Sequence, residues 1–167
     1  QHECPHSTRH LPRRVGCGMS TPIFTRPFND YACTGDRLRA EVDGFDLIAT
    51  LHAEDPKSDG YIGANPERSY REQLDHARRV LRAWHADEWC YVGVSVTVEF
   101  EGIEVVPEFE CALWGLEMNY PQYDDDKSNP NSYLTEVANE LAVEALSAAR
   151  TKVYALLKKY QELGETA

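Results

Sequence analysis

No stretch of this sequence approaches the roughly 20 unbroken apolar residues that a membrane-spanning helix requires, so no membrane contact of that kind is expected. It also contains no His-Glu-x-x-His, Gly-x-Ser-x-Gly, Walker phosphate loop or Cys-x-x-Cys. The usual marks of a zinc hydrolase, a serine esterase, a nucleotide-binding enzyme and a thiol oxidoreductase are therefore missing. Cysteine is sparse and irregular. Cys4, Cys17, Cys33, Cys90 and Cys111 make an odd number with no regular spacing, which is not how a disulfide-stapled secreted domain reads. With no charged-then-apolar leader at the start, the expectation is a reducing compartment, the cytoplasm.

Positive charge is the third shortage. The chain has 17 lysines and arginines against 28 aspartates and glutamates, a formal charge of −11. The deficit is uneven: residues 1–28 carry Arg9, Arg13, Arg14 and Arg26 against Glu3 alone, leaving −14 for the remainder. Such a body repels nucleic acid and anionic membranes and attracts basic proteins at long range, although net charge also simply keeps a protein soluble.

What is present is enough apolar material for a core. An apolar share of 42% with 10% aromatics in 167 residues fits one folded domain and excludes a disordered chain. The first eighteen residues hold almost no large apolar side chains and lead into Met19. Residues 1–18 read as a non-native or flexible extension before a start at Met19, and 1–34 as irregular. One domain is expected over 35–167.

Arg37 to Val42 alternates, Asp43-Gly44 is a type I′ turn signal, and Phe45 to His52 returns as the second strand of a hairpin. Asn65-Pro66-Glu67 then predicts a helix start, with Tyr70, Leu74, Ala77, Leu81 and Trp84 as its apolar stripe and Arg68, Arg71, Arg78, Arg79 and Arg82 on the opposite face. A second hairpin follows: Trp89 to Phe100, a Glu101-Gly102 turn, and Ile103 to Trp114 with Pro107 at a bulge or edge. Its proposed register sets Cys90 against Leu113, leaving Cys90 and Cys111 beyond disulfide reach. A last helix capped by Asn131 or Ser132 runs about 30 residues, longer than a usual globular helix, and is a candidate for pairing between copies. The expected fold is α+β: a four-stranded antiparallel sheet from two hairpins, in ββαββα order, with two helices on one face.

Between Arg82 and Lys127 eleven acids face no lysine or arginine. In the second hairpin Glu99 should lie opposite Glu104, and like charges so placed weaken a hairpin. A sequence that tolerates such a cost often gains from it elsewhere. Glu99, Glu101, Glu104, Glu108 and Glu110 are thus candidate partner-binding residues, joined by Tyr120, Tyr123, Asp124, Asp125 and Asp126, whose tyrosines interleaved with acids suit an arginine-rich partner. A solvated, aggregation-resistant face explains the same acids without a partner. A divalent-cation site would need converging oxygens, and strand glutamates are spread. Cys4, His6, His10 and Cys17 match no common zinc finger. No metal, cofactor or catalytic residue is expected; a small enzyme would have to use His85, Asp87 and Glu88.

Three segments, Trp84-His85-Ala86-Asp87-Glu88-Trp89-Cys90-Tyr91-Val92-Gly93-Val94, Leu113-Trp114-Gly115-Leu116-Glu117 and Tyr133 to Leu141, carry a resemblance. They resemble a group of small proteins, without an assigned activity, of actinobacterial bacteriophages, prophages and plasmids. These pair a D-E-W-x-Y-x-G-V strand with an L-W-G-I-E strand and a Y-L-x-E-x-A helix. The likeness spans Asp36 to Leu157, with Leu116 in the isoleucine position. It implies a mobile-element origin and transfers no site residue. The functional expectation is an accessory protein that binds a basic host or phage protein, as a nucleic-acid mimic or anti-defence inhibitor, with a virion or assembly component as the alternative.

Overall fold

The computed structural model describes residues 21–54 and 65–165. The extension of residues 1–18, with Cys4, His6, His10 and Cys17, lies outside them. The chain forms an α+β fold with an antiparallel sheet and two helices. Strand β1 (Arg37–Val42) and β2 (Phe45–Ala53) are joined by Asp43-Gly44, with φ of 53° and 79°. Both angles are positive, as a type I′ turn demands, and glycine takes the second at no steric cost. Helix α1 (Tyr70–His85) follows, then β3 (Cys90–Phe100). Glu101-Gly102 repeats the turn geometry, at 51° and 74°, and leads into β4 (Ile103–Val106).

The return strand of the second hairpin is divided. Pro107 cannot donate to the ladder, and at 107–111 the chain loops out, Glu110 N–H turning back to the Pro107 carbonyl at 3.2 Å. It rejoins β3 as β5 (Ala112–Met118). The sheet is therefore four positions wide, in order β1-β2-β3 with β4 and β5 sharing the outer place. The loop shifts the register expected for Cys90: its partner is Met118, while Leu113 lies opposite Val94. Cys90 and Cys111 are free thiols, and burial pushes both above the usual thiol range.

Helix α2 (Ser132–Glu165) crosses the sheet face formed by Leu47, Ala49, Leu51 and Val92, Val94, Val96 and Val98. Alternate strand residues point to one face, and here each is almost wholly buried. Small side chains on α2, Ala138, Ala142, Ala145 and Ala149, let the helix lie close to that valine floor. Residues 21–34 are irregular yet enter the same core through Phe24, Phe28 and Ala32. They are held by amide side chains: Asn139 receives the Phe24 N–H at 2.8 Å, Asn119 the Ala32 N–H at 2.8 Å, and Asn131 donates to the Asn29 carbonyl at 2.8 Å.

Helix α1 differs from the expected outline at both its start and its face. Asn65 to Arg68 forms a turn, and the cap is Ser69, in a reciprocal box with Glu72. Its buried residues are His76, Val80 and Ala83, whereas Tyr70 is 81% exposed. The cause is long-range. Trp89 folds back after the Ala86–Glu88 turn and donates its indole N–H to the Val80 carbonyl at 3.0 Å, building a separate small cluster with Trp84, Tyr91 and Tyr120. No helix among the described residues is long and apolar enough to cross a membrane.

Candidate functional site

Strand register brings together four carboxylates. Glu41 on β1 lies opposite Asp46 on β2, Asp46 opposite Glu99 on β3, and Glu99 opposite Glu104 on β4. They form one row across all four positions of the sheet, on the face turned away from α2. With strands about 4.8 Å apart, the row places four negative charges within about 15 Å. Glu41, Asp46 and Glu104 are exposed and Glu99 is half-buried. Among the described residues, no lysine, arginine or histidine nitrogen comes within 4.0 Å of any of the four. Glu101, in the turn beyond the row, is exposed as well.

The other candidate acids are placed elsewhere and are largely matched. Glu110 forms an ion pair with Lys152 at 2.7 Å, and Glu108 lies 3.5 Å from His52. Asp125 accepts two bonds from the Arg68 guanidinium, at 2.8 and 2.9 Å, and Asp124 pairs with Arg79. The hydrogen bond from Arg68 holds the Asp125 carboxyl below the usual carboxylate range. Backbone and side-chain bonds from Ser128 do the same for Asp126. Tyr123 stacks on His76 with centroids 4.0 Å apart, and the Arg68 guanidinium lies 4.6 Å from its ring on a cation–π contact. Tyr120 packs on Trp89 at 5.0 Å, and burial pushes its phenol up to about 12.

The ten candidate residues therefore do not make one surface. Asp124 to Asp126 follow β5 beyond the Cys90 end of β3, and the row sits at the opposite end, about 30 Å away along the strand. The arginine face of α1 is matched by these loop acids. Together they line a cleft of about 660 Å³ in which Arg68, Arg78, Arg79 and Arg82 are offset by Glu72, Asp75, Asp124 and Asp125. The cleft is polar and near charge balance, unlike the row.

His76 supplies a pH response in that cleft. Its Nδ1 faces an Arg79 nitrogen at 3.2 Å, and since arginine only donates, Nδ1 is the acceptor of a neutral ring. Burial, and then the Arg79 charge, lower its pKa, against a smaller opposing pull from Asp124. The unfolded chain then binds a proton more readily, so stability is present above the ordinary histidine value of about 6.5 and falls as pH drops below it. The thermal midpoint is expected to decline from about pH 7.5 to about pH 5.5, with part of that slope abolished in His76→Gln. An unchanged slope in the variant would assign the decline to other groups.

Two arrangements resemble catalytic ones without their geometry. His52 Nε2 is 2.7 Å from Ser95 Oγ and 3.5 Å from Glu108 Oε1, so one nitrogen meets both neighbours. A hydrolytic triad needs the acid on the opposite ring nitrogen and a reachable hydroxyl, and Ser95 is completely buried. His85, Asp87 and Glu88 stand exposed at the end of α1 with no ion pair joining them.

Sequence reasoning found Glu99 opposite Glu104 but missed Glu41 and Asp46. Their signal was present as acids at alternate-face positions of the first hairpin, but only the pairing of β2 with β3 aligns the two hairpins. No family model, curated protein or solved structure matches this chain.

Proposed function

We propose that this chain is an acidic accessory protein that docks on a basic surface of another protein, using Glu41, Asp46, Glu99 and Glu104, with Glu101 beside them. The observation that carries the reading is the row itself: four carboxylates in register on adjacent strands, none of them in an ion pair among the described residues. Opposed like charges on a sheet each cost roughly 0.2–1 kcal/mol, and the chain bears three such oppositions in succession. Of the other acids singled out in the sequence, Asp124, Asp125 and Glu110 are paired with the chain's own bases. The contrast favours a charge pattern kept for an external cation.

The spacing supports a nucleic-acid mimic. One charge per strand, about 4.8 Å apart, is close to the one charge per about 3.4 Å of axis along a nucleic-acid strand. A protein groove lined with arginine and lysine would meet a comparable line of negative charge on a rigid backbone. Rigidity lowers the ordering cost of association. The mobile-element resemblance of the sequence fits such a role, since a small acidic protein can occupy a host site that otherwise holds nucleic acid.

The test is affinity capture of a basic partner at about 50 mM and about 300 mM salt, comparing the chain with an Asp46→Asn, Glu99→Gln, Glu104→Gln variant. Binding should fall at high salt and fall at least about 10-fold in the variant. The same substitutions should raise the thermal midpoint by about 1–4 °C, because they relieve repulsion inside the sheet. Undiminished binding by a more stable variant would remove the proposal.

A further inference from the structure

Strand β1 is one outer edge of the sheet. The Leu51 N–H bonds the Asp36 carbonyl at 3.0 Å, and bonding alternates along an antiparallel pair, so residues 36, 38, 40 and 42 face β2. The backbone N–H and carbonyl groups of Arg37, Arg39 and Glu41 therefore point outwards, and among the described residues nothing bonds them. The usual guards of such an edge are missing, since β1 has neither a proline nor a bulge.

The side chains of Arg37, Arg39 and Glu41 lie exposed on the face turned away from α2, and none is in an ion pair among the described residues. On the other face Leu38, Ala40 and Val42 are half-buried at the rim of the core. Beside Leu38, a groove of about 340 Å³ separates Arg37 to Arg39 from Phe24, Thr25 and Arg26. The edge is thus basic where β1 starts and acidic where it ends, at Glu41 and Asp43. Turned end for end, a second copy of the same edge is its complement in charge.

We propose that β1 pairs antiparallel with β1 of a second copy of this chain, about a twofold axis at Ala40, joining the two sheets into one. Outward-facing backbone groups bond only if Arg37, Arg39 and Glu41 meet odd-numbered residues of the other copy. Centring the pair on Arg39 or on Glu41 opposes that residue to itself, and centring it on Leu38 or Val42 sets Arg37 against Arg39 or Glu41 against Asp43. Centring it on Ala40 sets each Arg39 against Glu41 of the other copy, with Arg37 opposite Asp43, and no like charges meet. Directly opposed unlike charges stabilise a ladder and like charges weaken it. Asp43 already bonds Arg150 of its own chain, so the selection rests on Arg39 and Glu41. On the α2 side Val42 of the second copy meets Leu38 and enters the groove. This contact takes up Glu41 of the carboxylate row and leaves Asp46, Glu99 and Glu104 open. Substitutions at those three leave β1 unchanged, so docking and self-pairing are tested separately.

Sedimentation equilibrium of the full chain from about 5 to about 500 µM measures the pairing. Six residues a side make a small contact, and a Kd of roughly 10–100 µM is expected. Arg39→Glu or Glu41→Arg alone should weaken it at least about 10-fold, because two pairs of opposite charge become two of like charge. The double exchange Arg39→Glu with Glu41→Arg should restore it to within about 3-fold of the unsubstituted chain. Ala40→Cys checks the register. At the twofold its two Cα atoms are about 4.5 Å apart, within disulfide range, so oxidised glutathione should link two copies. Leu38→Cys, which faces Val42, should link no more than the unsubstituted chain. A monomer at about 500 µM would overturn the proposal. So would a dimer indifferent to the single reversals, as pairing through α2 would give, or one that the double exchange fails to restore. A dimer that Ala40→Cys does not link would overturn the register.

Discussion

Replacing Asn131 with alanine is expected to lower the thermal midpoint by about 10 °C, the largest effect of any single polar substitution in this protein. Asn131 is completely buried between the end of β5, the start of α2 and the irregular segment 21–34. Its Oδ1 accepts the Asn119 N–H at 2.7 Å, and its Nδ2 donates to the Asn29 carbonyl at 2.8 Å and to Asn119 Oδ1 at 2.9 Å. Asn119, held at a φ of 60°, in turn bonds both the N–H and the carbonyl of Ala32. Truncation removes one side chain and takes a partner from the partly buried Asn119 and from the Asn29 carbonyl together. Each buried group left without a partner costs about 1–3 kcal/mol, so a total near 3–4 kcal/mol is expected. Gln122→Ala, at an exposed bond to Ser128, should stay within about 0.5 kcal/mol. Thermal unfolding followed by circular dichroism measures both. A loss at Asn131 as small as that at Gln122 would mean the network rearranges around the gap.

Gly93→Ala should destabilise the fold by about 1–3 kcal/mol for an entirely steric reason. Gly93 does not have the left-handed backbone that often demands glycine. Its place in β3 is instead roofed by the indole of Trp114: a Cβ there would lie 2.6 Å from Trp114 Cδ2. That is well inside contact distance, so the ring must move. Trp114 is held in turn by neighbours, with Phe109 at 5.9 Å and His52 at 6.1 Å between centroids. A double-mutant cycle with Trp114→Ala provides the check. The Gly93→Ala penalty should largely vanish once the indole is gone, giving a coupling of about 1 kcal/mol or more. Additive costs would show that the strand backbone, not the ring, resists the methyl.

How much of this was legible in the sequence depended on the range of the interaction. Both two-residue turns were readable because Asp43-Gly44 and Glu101-Gly102 act through their own dihedral angles. The opposition of Glu99 and Glu104 followed from the second turn by counting. The alignment of the two hairpins was not readable, since it is set by how Leu47, Ala49 and Leu51 meet Val94, Val96 and Val98 beneath α2, and so Glu41 and Asp46 were missed. Pro107 was recognised as a disturbance, but its loop is five residues long, enough to carry Leu113 from the expected Cys90 to Val94. The buried face of α1 was misjudged because a helical stripe of Tyr70, Leu74 and Leu81 looks apolar in isolation. The face actually used is chosen by Trp89 and Tyr123, which reach it from other parts of the chain. The pairing of Arg68 and Arg79 with Asp125 and Asp124 joins residues 45 to 57 positions apart, and no local pattern announces it.

The path between β2 and β3 has a consequence for how the protein can change. Ala53 and Val92 are direct partners in the ladder, so the chain departs from the sheet and returns to the same spot after the whole of α1. In topological terms the sheet is a simple meander, and α1 is an enlarged hairpin loop with its own small core. Closing a loop of 38 residues rather than two costs about 2.6 kcal/mol in chain entropy, and further lengthening adds only slowly to that. The chain between Glu54 and Cys90 can therefore be lengthened or shortened while the meander, its row of carboxylates and the helix beneath it keep their arrangement.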